Sequence, residues 1–378
     1  MHAGSRWLVV GACSVLVGAA CDGLIGLEQP SIAPHDAGGA HDAATRPDAS
    51  SGDAGTDAVV AVDASDATRE DAPNGPVALV SGANLGPLAT DATYVYWLDS
   101  THGQVMRCPI AGCPSGPTVF YSQPGYDQGS GWGIGGIAAQ SDSIYFAMNQ
   151  TADGMLIQCP SSDCGSPIYI VKGTTGSGGI FGVTADSSHV YFAMGAGLFE
   201  CPLQGGCSIP SPSTSLVASG VSAHMGGIAV ASGRVYFAAN AANPVGECSA
   251  TGCGGVPVLI NLSGSPAVGI AANATAVYWT DETGSQVLES LWPANSWDGV
   301  FVLSPATQQI VADDNAVYFG SKQSGGAIYS CPVTGCGNAP TLVAGNLGNV
   351  GALAIDPYLV YAGVYSTGQP GEIIEIKR

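Results

Sequence analysis

The stretch IAAQSDSIYFAMNQTADGMLIQCP, residues 137–160, holds three short apolar segments separated by turn residues, and it decides the fold. No 3.6-residue period runs through it, so a helix is not indicated. Short apolar segments bounded by Gly, Asn, Asp and Ser are typical of β-strands joined by tight turns. The stretch therefore predicts three consecutive strands, with the pair Tyr145-Phe146 in the second.

This aromatic pair marks a repeat that runs through residues 76–378. Six units carry it and a seventh carries a degenerate version; the seven pairs are Tyr96-Trp97, Tyr145-Phe146, Tyr191-Phe192, Tyr236-Phe237, Tyr278-Trp279, Tyr318-Phe319 and Tyr361-Ala362. Successive tyrosines are 40 to 49 residues apart. A fourth apolar segment, such as residues 117–120, follows the third in most units. Four short strands per repeat are the pattern of a β-propeller blade. We therefore expect an all-β, seven-bladed β-propeller, with six or eight blades as the alternatives.

The two ends of the repeat region complement each other. The last unit stops after its third strand, at residues 372–376, and an orphan strand at residues 77–82 precedes the first unit. Pairing of these two segments would complete the last blade and close the ring. Closure removes an exposed sheet edge, which otherwise invites aggregation.

One unit contains the string Tyr278-Trp279-Thr280-Asp281. This string resembles the YWTD and NHL-like propeller families, and the resemblance covers residues 76–378 as a fold pattern. It implies a propeller fold, and a fold does not by itself imply a function.

The N-terminus indicates export. Residues 7–20 form a 14-residue apolar segment, which is long enough for a signal peptide and too short to span a membrane. The residues Gly18-Ala19-Ala20-Cys21 that end it resemble the lipobox of bacterial lipoproteins. That resemblance implies a signal peptide at residues 1–20 and a diacylglycerol on Cys21, in an outer-membrane or cell-surface lipoprotein of the bacterial cell envelope. Ordinary cleavage after Ala20, with Cys21 unmodified, is the alternative.

Residues 21–75 have the composition of a disordered tether. They are rich in Ala, Asp, Gly and Ser, contain 11 acidic and two basic residues, and lack aromatic residues. Such a segment cannot bury enough apolar surface to fold. The whole chain has 9 Lys and Arg against 29 Asp and Glu, a net charge of −20, which argues against nucleic-acid binding.

Ten of the 12 cysteines form five close pairs between the third and fourth strands: Cys108/Cys113, Cys159/Cys164, Cys201/Cys207, Cys248/Cys253 and Cys331/Cys336. An even number of paired cysteines in an exported chain predicts disulfides. Zinc is the alternative, but zinc sites need pairs that converge, and here each pair belongs to a different blade.

Motifs for catalysis, metals or cofactors do not occur in the sequence. It contains no Gly-x-Ser-x-Gly elbow, no HExxH pair and no P-loop. Asp91, Asp142, Asp186 and Asp313 follow the first strands, where an aspartate commonly closes a turn with its own side chain. No DxDxDG spacing accompanies them, so we predict no metal at these aspartates. Because the catalytic and cofactor motifs above do not occur, we also predict no cofactor and no enzymatic activity.

Long loops on one face of the propeller form the candidate binding surface. They span residues 122–136, 173–182 and 219–227, and the predicted binding residues are His102, Tyr126, Asp127, Trp132, Phe181 and His224. Aromatic and polar side chains on loops suit a protein, peptide or glycan ligand. The alternative is that they only plug the mouth of the central channel.

The sequence thus predicts a lipid-anchored binding or scaffolding module at the cell envelope. Its expected partners are a membrane, reached through the lipid, and a protein, peptide or glycan ligand. The alternative is an exported propeller enzyme, a lyase or a glycan-acting hydrolase, with His102, Asp127 and His224 at the channel mouth.

Overall fold

The computed structural model describes residues 75–124, 132–150, 153–172, 179–194, 197–203, 216–219, 227–240, 243–252, 257–260, 267–281, 286–291, 299–302, 307–321, 325–337, 339–366 and 368–378. Within these ranges the chain forms seven four-stranded antiparallel sheets, each of which is one blade. The predicted all-β, seven-bladed propeller is confirmed, and the alternatives of six or eight blades are wrong. The predicted signal peptide and nearly all of the predicted tether lie outside the described residues.

The strands are numbered in chain order, and each blade is built from its innermost to its outermost strand. Strand β1 (Val77–Ala83) comes before blade 1, which contains β2 (Leu88–Thr90), β3 (Tyr94–Asp99), β4 (Gln104–Pro109) and β5 (Thr118–Ser122). Blade 2 contains β6 (Trp132–Gln140), β7 (Ser143–Gln150), β8 (Asp153–Pro160) and β9 (Ile168–Lys172). Blade 3 contains β10 (Ile180–Ala185), β11 (His189–Met194), β12 (Gly197–Pro202) and β13 (Leu216–Ser219). Blade 4 contains β14 (Ile228–Ala231), β15 (Arg234–Asn240), β16 (Asn243–Ser249) and β17 (Val258–Ile260). Blade 5 contains β18 (Ala267–Ala272), β19 (Ala276–Asp281), β20 (Gln286–Leu291) and β21 (Gly299–Val302). Blade 6 contains β22 (Thr307–Ala312), β23 (Ala316–Ser321), β24 (Ile328–Pro332) and β25 (Thr341–Ala344), and blade 7 contains β26 (Asn349–Ile355), β27 (Leu359–Tyr365) and β28 (Gly371–Lys377).

Blade 7 is completed by β1, the first strand of the described chain. β1 pairs antiparallel with β28, with Val77 opposite Glu375 and Ala83 opposite Gly371. The sheet order is β26-β27-β28-β1, so the predicted closure of the ring is confirmed. Leu79 and Val80 of β1 are buried in this sheet.

The second strand of each blade is the most buried, because neighbouring blades cover both of its faces. In β3, for example, every residue after Tyr94 is buried. The outermost strands face solvent and mix exposed with buried side chains. In β5, for example, Val119 is exposed while Phe120 and Tyr121 are buried. These patterns explain why the second strands are continuous apolar runs in the sequence.

The repeated aromatic pair joins each blade to the next. The tyrosine of one blade lies in the same buried cluster as the second member of the pair in the following blade. The described clusters combine Tyr96 with Phe146, Tyr145 with Phe192, Tyr191 with Phe237, Tyr236 with Trp279, Tyr278 with Phe319, Tyr318 with Ala362, and Tyr361 with Trp97. Because successive side chains of a strand point to opposite faces, one dipeptide serves two interfaces.

Two predicted loops are shorter than the sequence suggests. The sequence predicts loops at residues 132–136 and 180–182, but β6 begins at Trp132 and β10 begins at Ile180. The physical reason lies in two glycines of β6. A Cβ at Gly135 or Gly136 would clash with blade 3, at the Ile180 carbonyl or the Val183 nitrogen. Glycine therefore lets this strand lie directly against blade 3, and β6 continues through the glycine-rich run with an irregularity in its pairing between Ile134 and Ile137.

Candidate functional site

The propeller has two faces that differ in their connections. The turn face carries the turns from first to second strands and from third to fourth strands, including Asp91, Asp186 and the cysteine pairs. The loop face carries the connections from second to third strands and from each fourth strand to the next blade. His102, Phe181 and the start of β6 lie on the loop face.

A central channel of about 390 Å³ runs between the seven innermost strands. Each strand contributes three consecutive lining residues, such as Leu88, Ala89 and Thr90 of β2. Of the 21 lining residues that the structure describes, only Thr90 and Thr184 have polar side chains, and none is ionisable. The described part of the channel wall therefore supplies no group for acid–base chemistry.

Innermost strands of adjacent blades approach closely near the loop face. The N–H of Gly227 in blade 4 donates a hydrogen bond to the Val268 carbonyl in blade 5 at 2.9 Å. A Cβ on Gly227 would lie 2.7 Å from the backbone nitrogen of Ile270. The lack of a side chain at Gly227 therefore lets the inner strands of blades 4 and 5 lie close together.

His102 lies on the loop face in the hairpin between β3 and β4, and Asp99 fixes its orientation. One oxygen of Asp99 accepts hydrogen bonds from the backbone N–H groups of Thr101, at 2.9 Å, and His102, at 3.2 Å. The other oxygen lies 2.8 Å from Nδ1 of His102. The Asp99 side chain is 10% exposed and the His102 side chain is 56% exposed. An ionised carboxylate only accepts hydrogen bonds, so Nδ1 of His102 donates to Asp99, and Nε2, on the other side of the ring, is directed away from the carboxylate.

Asn149 is a second polar residue that the sequence analysis missed on this face. Its side-chain amide donates to the Ile180 carbonyl at 2.8 Å, and its side-chain oxygen accepts from the Ile180 N–H at 2.7 Å. The buried amide of Asn149 thus bonds both backbone groups of Ile180, as the backbone of a paired strand would, and so joins blade 2 to blade 3.

The other predicted binding residues have different positions. Phe181 is half-buried at an irregularity in β10, where Ile180 pairs with Met194 and Gly182 pairs with Ala193. Trp132 begins β6 opposite Gln150. Tyr126, Asp127 and His224 lie outside the described residues, so the predicted grouping of Asp127 and His224 with His102 stays a prediction.

On the turn face, aspartates close the turns between first and second strands. One oxygen of Asp91 accepts from the N–H groups of Thr93 and Tyr94, both at 2.7 Å, and the other accepts from the Tyr96 hydroxyl at 2.8 Å. Asp186 and Asp356 make the same set of contacts, with the hydroxyls of Tyr191 and Tyr361. In blade 5 an asparagine, Asn273, closes the turn in the same way.

Asp142 was grouped with these aspartates, and the structure corrects that assignment. It lies three residues before Tyr145, whereas Asp91 lies five residues before Tyr96. Blade 2 makes its turn with Ser141 at a positive φ of 52°, so the two-residue hairpin leaves no space for the longer turn.

The tyrosine hydroxyls extend this network between blades. Burial, together with the hydrogen bond to the aspartate, raises the pKa values of Tyr96 and Tyr191 well above the ordinary range. The phenols therefore stay protonated and donate. The Tyr96 hydroxyl also reaches the Ser161 carbonyl of blade 2 at 3.3 Å, and that of Tyr191 reaches the Ala250 carbonyl of blade 4 at 3.2 Å.

The cysteine pairs close the turns between third and fourth strands. Cys108–Cys113, Cys159–Cys164 and Cys331–Cys336 are disulfides, with Cα–Cα distances of 5.6, 5.0 and 5.3 Å. Cys201 and Cys248 are disulfide-bonded as well, and their predicted partners Cys207 and Cys253 lie outside the described residues. Among the described residues no group of three or more His, Cys, Asp or Glu could hold a metal ion.

Comparison with known proteins identifies the fold alone. No protein-family model matches the chain, and no curated protein matches it.

In the part of the chain that the structure describes, no helix has the length and hydropathy needed to cross a membrane.

Three solved structures illustrate the similarity. A catalytically inactive virginiamycin B lyase from Staphylococcus aureus, with quinupristin, is 12% identical, with a TM-score of 0.58 over 80% of this chain and 98% of that one. The WD40 repeats of RRP9 are 10% identical, with a TM-score of 0.58 over 80% and 98% of the two chains. The WD40 β-propeller domain of Doa1 is 9% identical, with a TM-score of 0.53 over 80% and 97%. At such identities the likeness shows that the chain has a β-propeller fold, and it carries no activity across.

Proposed function

We propose that the chain is an exported, lipid-anchored β-propeller that acts as a binding or scaffolding module at the bacterial cell envelope. It works by recognition, without catalysis and without a cofactor. Its ligand, a protein, peptide or glycan, binds on the loop face. A lipid on Cys21 attaches the chain to a membrane.

The observation that carries the proposal is the chemical difference between the channel and the loop face. Among the residues that the structure describes, the channel wall has 19 apolar residues of 21 and no ionisable side chain. On the loop face, by contrast, an exposed imidazole is held in one orientation by a buried carboxylate. A rigid frame that displays oriented groups on its rim is suited to recognition.

The N-terminal sequence and the disulfides support the proposed localisation at the cell envelope. The sequence from residue 21 to residue 75 has 11 acidic against two basic residues, a composition typical of an extended linker. A flexible linker of about 55 residues would reach about 40 Å. Such a tether would hold the propeller clear of lipid headgroups. Disulfides are typical of exported proteins.

A second candidate is an exported lyase or glycan-acting hydrolase with its site on the loop face. The separation of 2.8 Å between Asp99 Oδ2 and His102 Nδ1 favours it, since a carboxylate-oriented imidazole can accept a proton. The described residues around this pair include no further group in a catalytic role, so binding is the stronger proposal.

Photo-crosslinking of the full-length protein in cells tests the proposal. A photoreactive residue replaces Ser122, which is exposed on the loop face, or Ser162, which is exposed on the turn face. We expect discrete adducts from position 122 and none from position 162. Equal labelling from both positions, or no adducts from position 122, would contradict a loop-face binding module.

A further inference from the structure

The pair Asp99 and His102 is matched by a pair on the turn face, Asp186 and His189. In both, a histidine follows an aspartate by three residues, and one carboxylate oxygen accepts the N–H groups of the second and third residues that follow. The two pairs therefore share one local backbone arrangement, an Asx-type turn.

The second carboxylate oxygen distinguishes the two pairs. In Asp186 it accepts the hydroxyl of Tyr191 at 3.0 Å, and His189 Nδ1 lies 2.9 Å from the hydroxyl of its neighbour Ser188. In Asp99 the second oxygen holds the imidazole of His102 itself. Asp91 and Asp356, like Asp186, direct this oxygen to a buried tyrosine that joins two blades.

The contact between Asp99 and His102, unlike these aspartate–tyrosine contacts, does not join two blades. The imidazole that it orients is more than half exposed, and Nε2 makes no hydrogen bond within the described residues. The turn itself does not produce the contact, since the same turn around Asp186 leaves its histidine to a serine hydroxyl. A buried carboxylate therefore positions an outward acceptor that the fold does not use.

We propose that Nε2 of His102 is the hydrogen-bond acceptor for a hydroxyl group of a neutral oligosaccharide bound on the loop face. This inference rests on the proposed binding function and names its ligand class. With Nδ1 protonated toward Asp99, Nε2 accepts a hydrogen bond from a sugar hydroxyl.

The surroundings favour a neutral ligand over a charged one. The net charge of −20 disfavours anions. Asp99 and Asp281, which both end second strands on this face, are only 8% and 6% exposed, so neither offers an open carboxylate to a cation. Glu372, at the start of β28, is exposed, and its carboxylate accepts a hydrogen bond from the Ser81 hydroxyl. What the pair presents outward is a single ring nitrogen, Nε2 of His102.

An exposed aromatic ring on the same face suits the same ligand. Tyr365 ends β27 in blade 7, the neighbour of blade 1, and is 39% exposed. Its ring covers Gly351, where a Cβ would lie 2.6 Å from Cε1. The absence of a side chain at Gly351 lets the ring lie against the backbone. Tyr365 and His102 thus lie on the same face in adjacent blades, and an aromatic surface together with a polar acceptor provides the two kinds of contact that sugars use.

The experiment titrates the purified full-length protein with neutral tetrasaccharides of glucose, mannose and N-acetylglucosamine, and follows the ring nitrogens of the histidines by ¹⁵N NMR. We expect His102 to show a protonated Nδ1 and an unprotonated Nε2, and one sugar to shift the Nε2 signal. The variants His102→Gln and Tyr365→Ala should each weaken that sugar about tenfold or more, the effect of one lost contact. His189→Gln, the matched control, should stay within about twofold.

Asp99→Asn tests the orientation separately from folding. Asn273 closes the same kind of turn, so asparagine keeps the hairpin while it no longer holds the proton on Nδ1. Its thermal unfolding should match that of the wild type, and its sugar affinity should fall as in His102→Gln. Absence of any Nε2 shift with all three sugars, or equal effects of the His102 and His189 variants, would overturn the inference. Persistence of crosslinked adducts at position 122 in that case would leave the proposed binding function standing.

Discussion

The guanidinium of Arg107 in blade 1 donates a hydrogen bond to the carbonyl oxygen of Ser161 in blade 2, with an Nη1–O distance of 2.8 Å. It also reaches the Ser162 carbonyl at 3.2 Å and lies 4.4 Å from the centre of the Tyr94 ring. Ser161 belongs to the turn that the Cys159–Cys164 disulfide closes. A charged side chain of one blade thus holds the disulfide turn of the next.

Replacing Arg107 with methionine should destabilise the propeller. The change keeps an apolar stem but removes the charged donor, and hydrogen bonds to charged groups contribute about 1.5–3 kcal/mol. Urea unfolding measures the effect. Lys172→Met is the control, because Lys172 is exposed and surface changes stay within about 0.5 kcal/mol. Equal stability of the two variants would refute the role given to Arg107.

Deleting residues 76–82 should destabilise the fold far more than deleting residues 30–70. The first deletion removes most of β1, exposes the edge of β28 and loses the buried Leu79 and Val80. Burial of two aliphatic side chains alone contributes about 3–6 kcal/mol. Thermal unfolding compares the two deletions, and a similar loss in both would show that β1 does not close the ring.

Acid should weaken the turn face. Burial alone would raise the pKa of Asp186, but hydrogen bonds from Ser188, His189 and Tyr191 together lower it below the ordinary value of 3.8. A lowered pKa contributes stability that is present above pH 3.8 and is lost as the pH falls through the folded-state pKa.

The variant Asp186→Asn should therefore lose less stability than the wild type as the pH falls from about 4 to about 2. Urea unfolding at each pH gives the free energy of unfolding, and Asp163→Asn controls for loss of one exposed carboxylate. Parallel pH profiles for the wild type and Asp186→Asn would count against this account.

All five close cysteine pairs should be disulfides in the mature protein. Mass spectrometry of the unreduced propeller should find ten fewer hydrogen atoms than in the reduced form, two for each of the five pairs among the cysteines. Peptide mapping should join Cys201 to Cys207 and Cys248 to Cys253, the two pairs that the structure describes only in part. Free thiols at these positions, or bound zinc, would contradict the prediction.

The sequence predicts the blades well because each repeat contains the residue pair that packs against both neighbouring blades. Tyr145 and Phe146 point to opposite faces of one strand, so the dipeptide alone specifies contacts with both neighbouring blades. The missing fourth strand of the last unit likewise predicts closure, since an unpaired edge needs a partner. Local pattern and tertiary contact coincide in these elements.

The loop face was harder to predict because its contacts depend on distances between blades. The close approach of blades 2 and 3 turns the glycine-rich residues 132–136 into strand, although glycines usually indicate a loop. Asn149 bonds a residue 31 positions away, which no local pattern reveals. Asp99, by contrast, lies three residues before His102, and that spacing was a signal the sequence already contained.

The central claim is that the propeller is a binding module tethered to a membrane through Cys21, and fractionation of cells that produce the wild type or Cys21→Ser tests it most directly. A propeller on a long tether gains access to partners that lie beyond the lipid headgroups, a benefit that enzymes acting on diffusing substrates do not need. We predict that the wild type is found in the membrane fraction and carries a diacylglycerol-sized mass on its N-terminal cysteine, while Cys21→Ser is released in soluble form. If the wild type and the variant are equally soluble in the periplasm or the medium, the membrane tether is wrong.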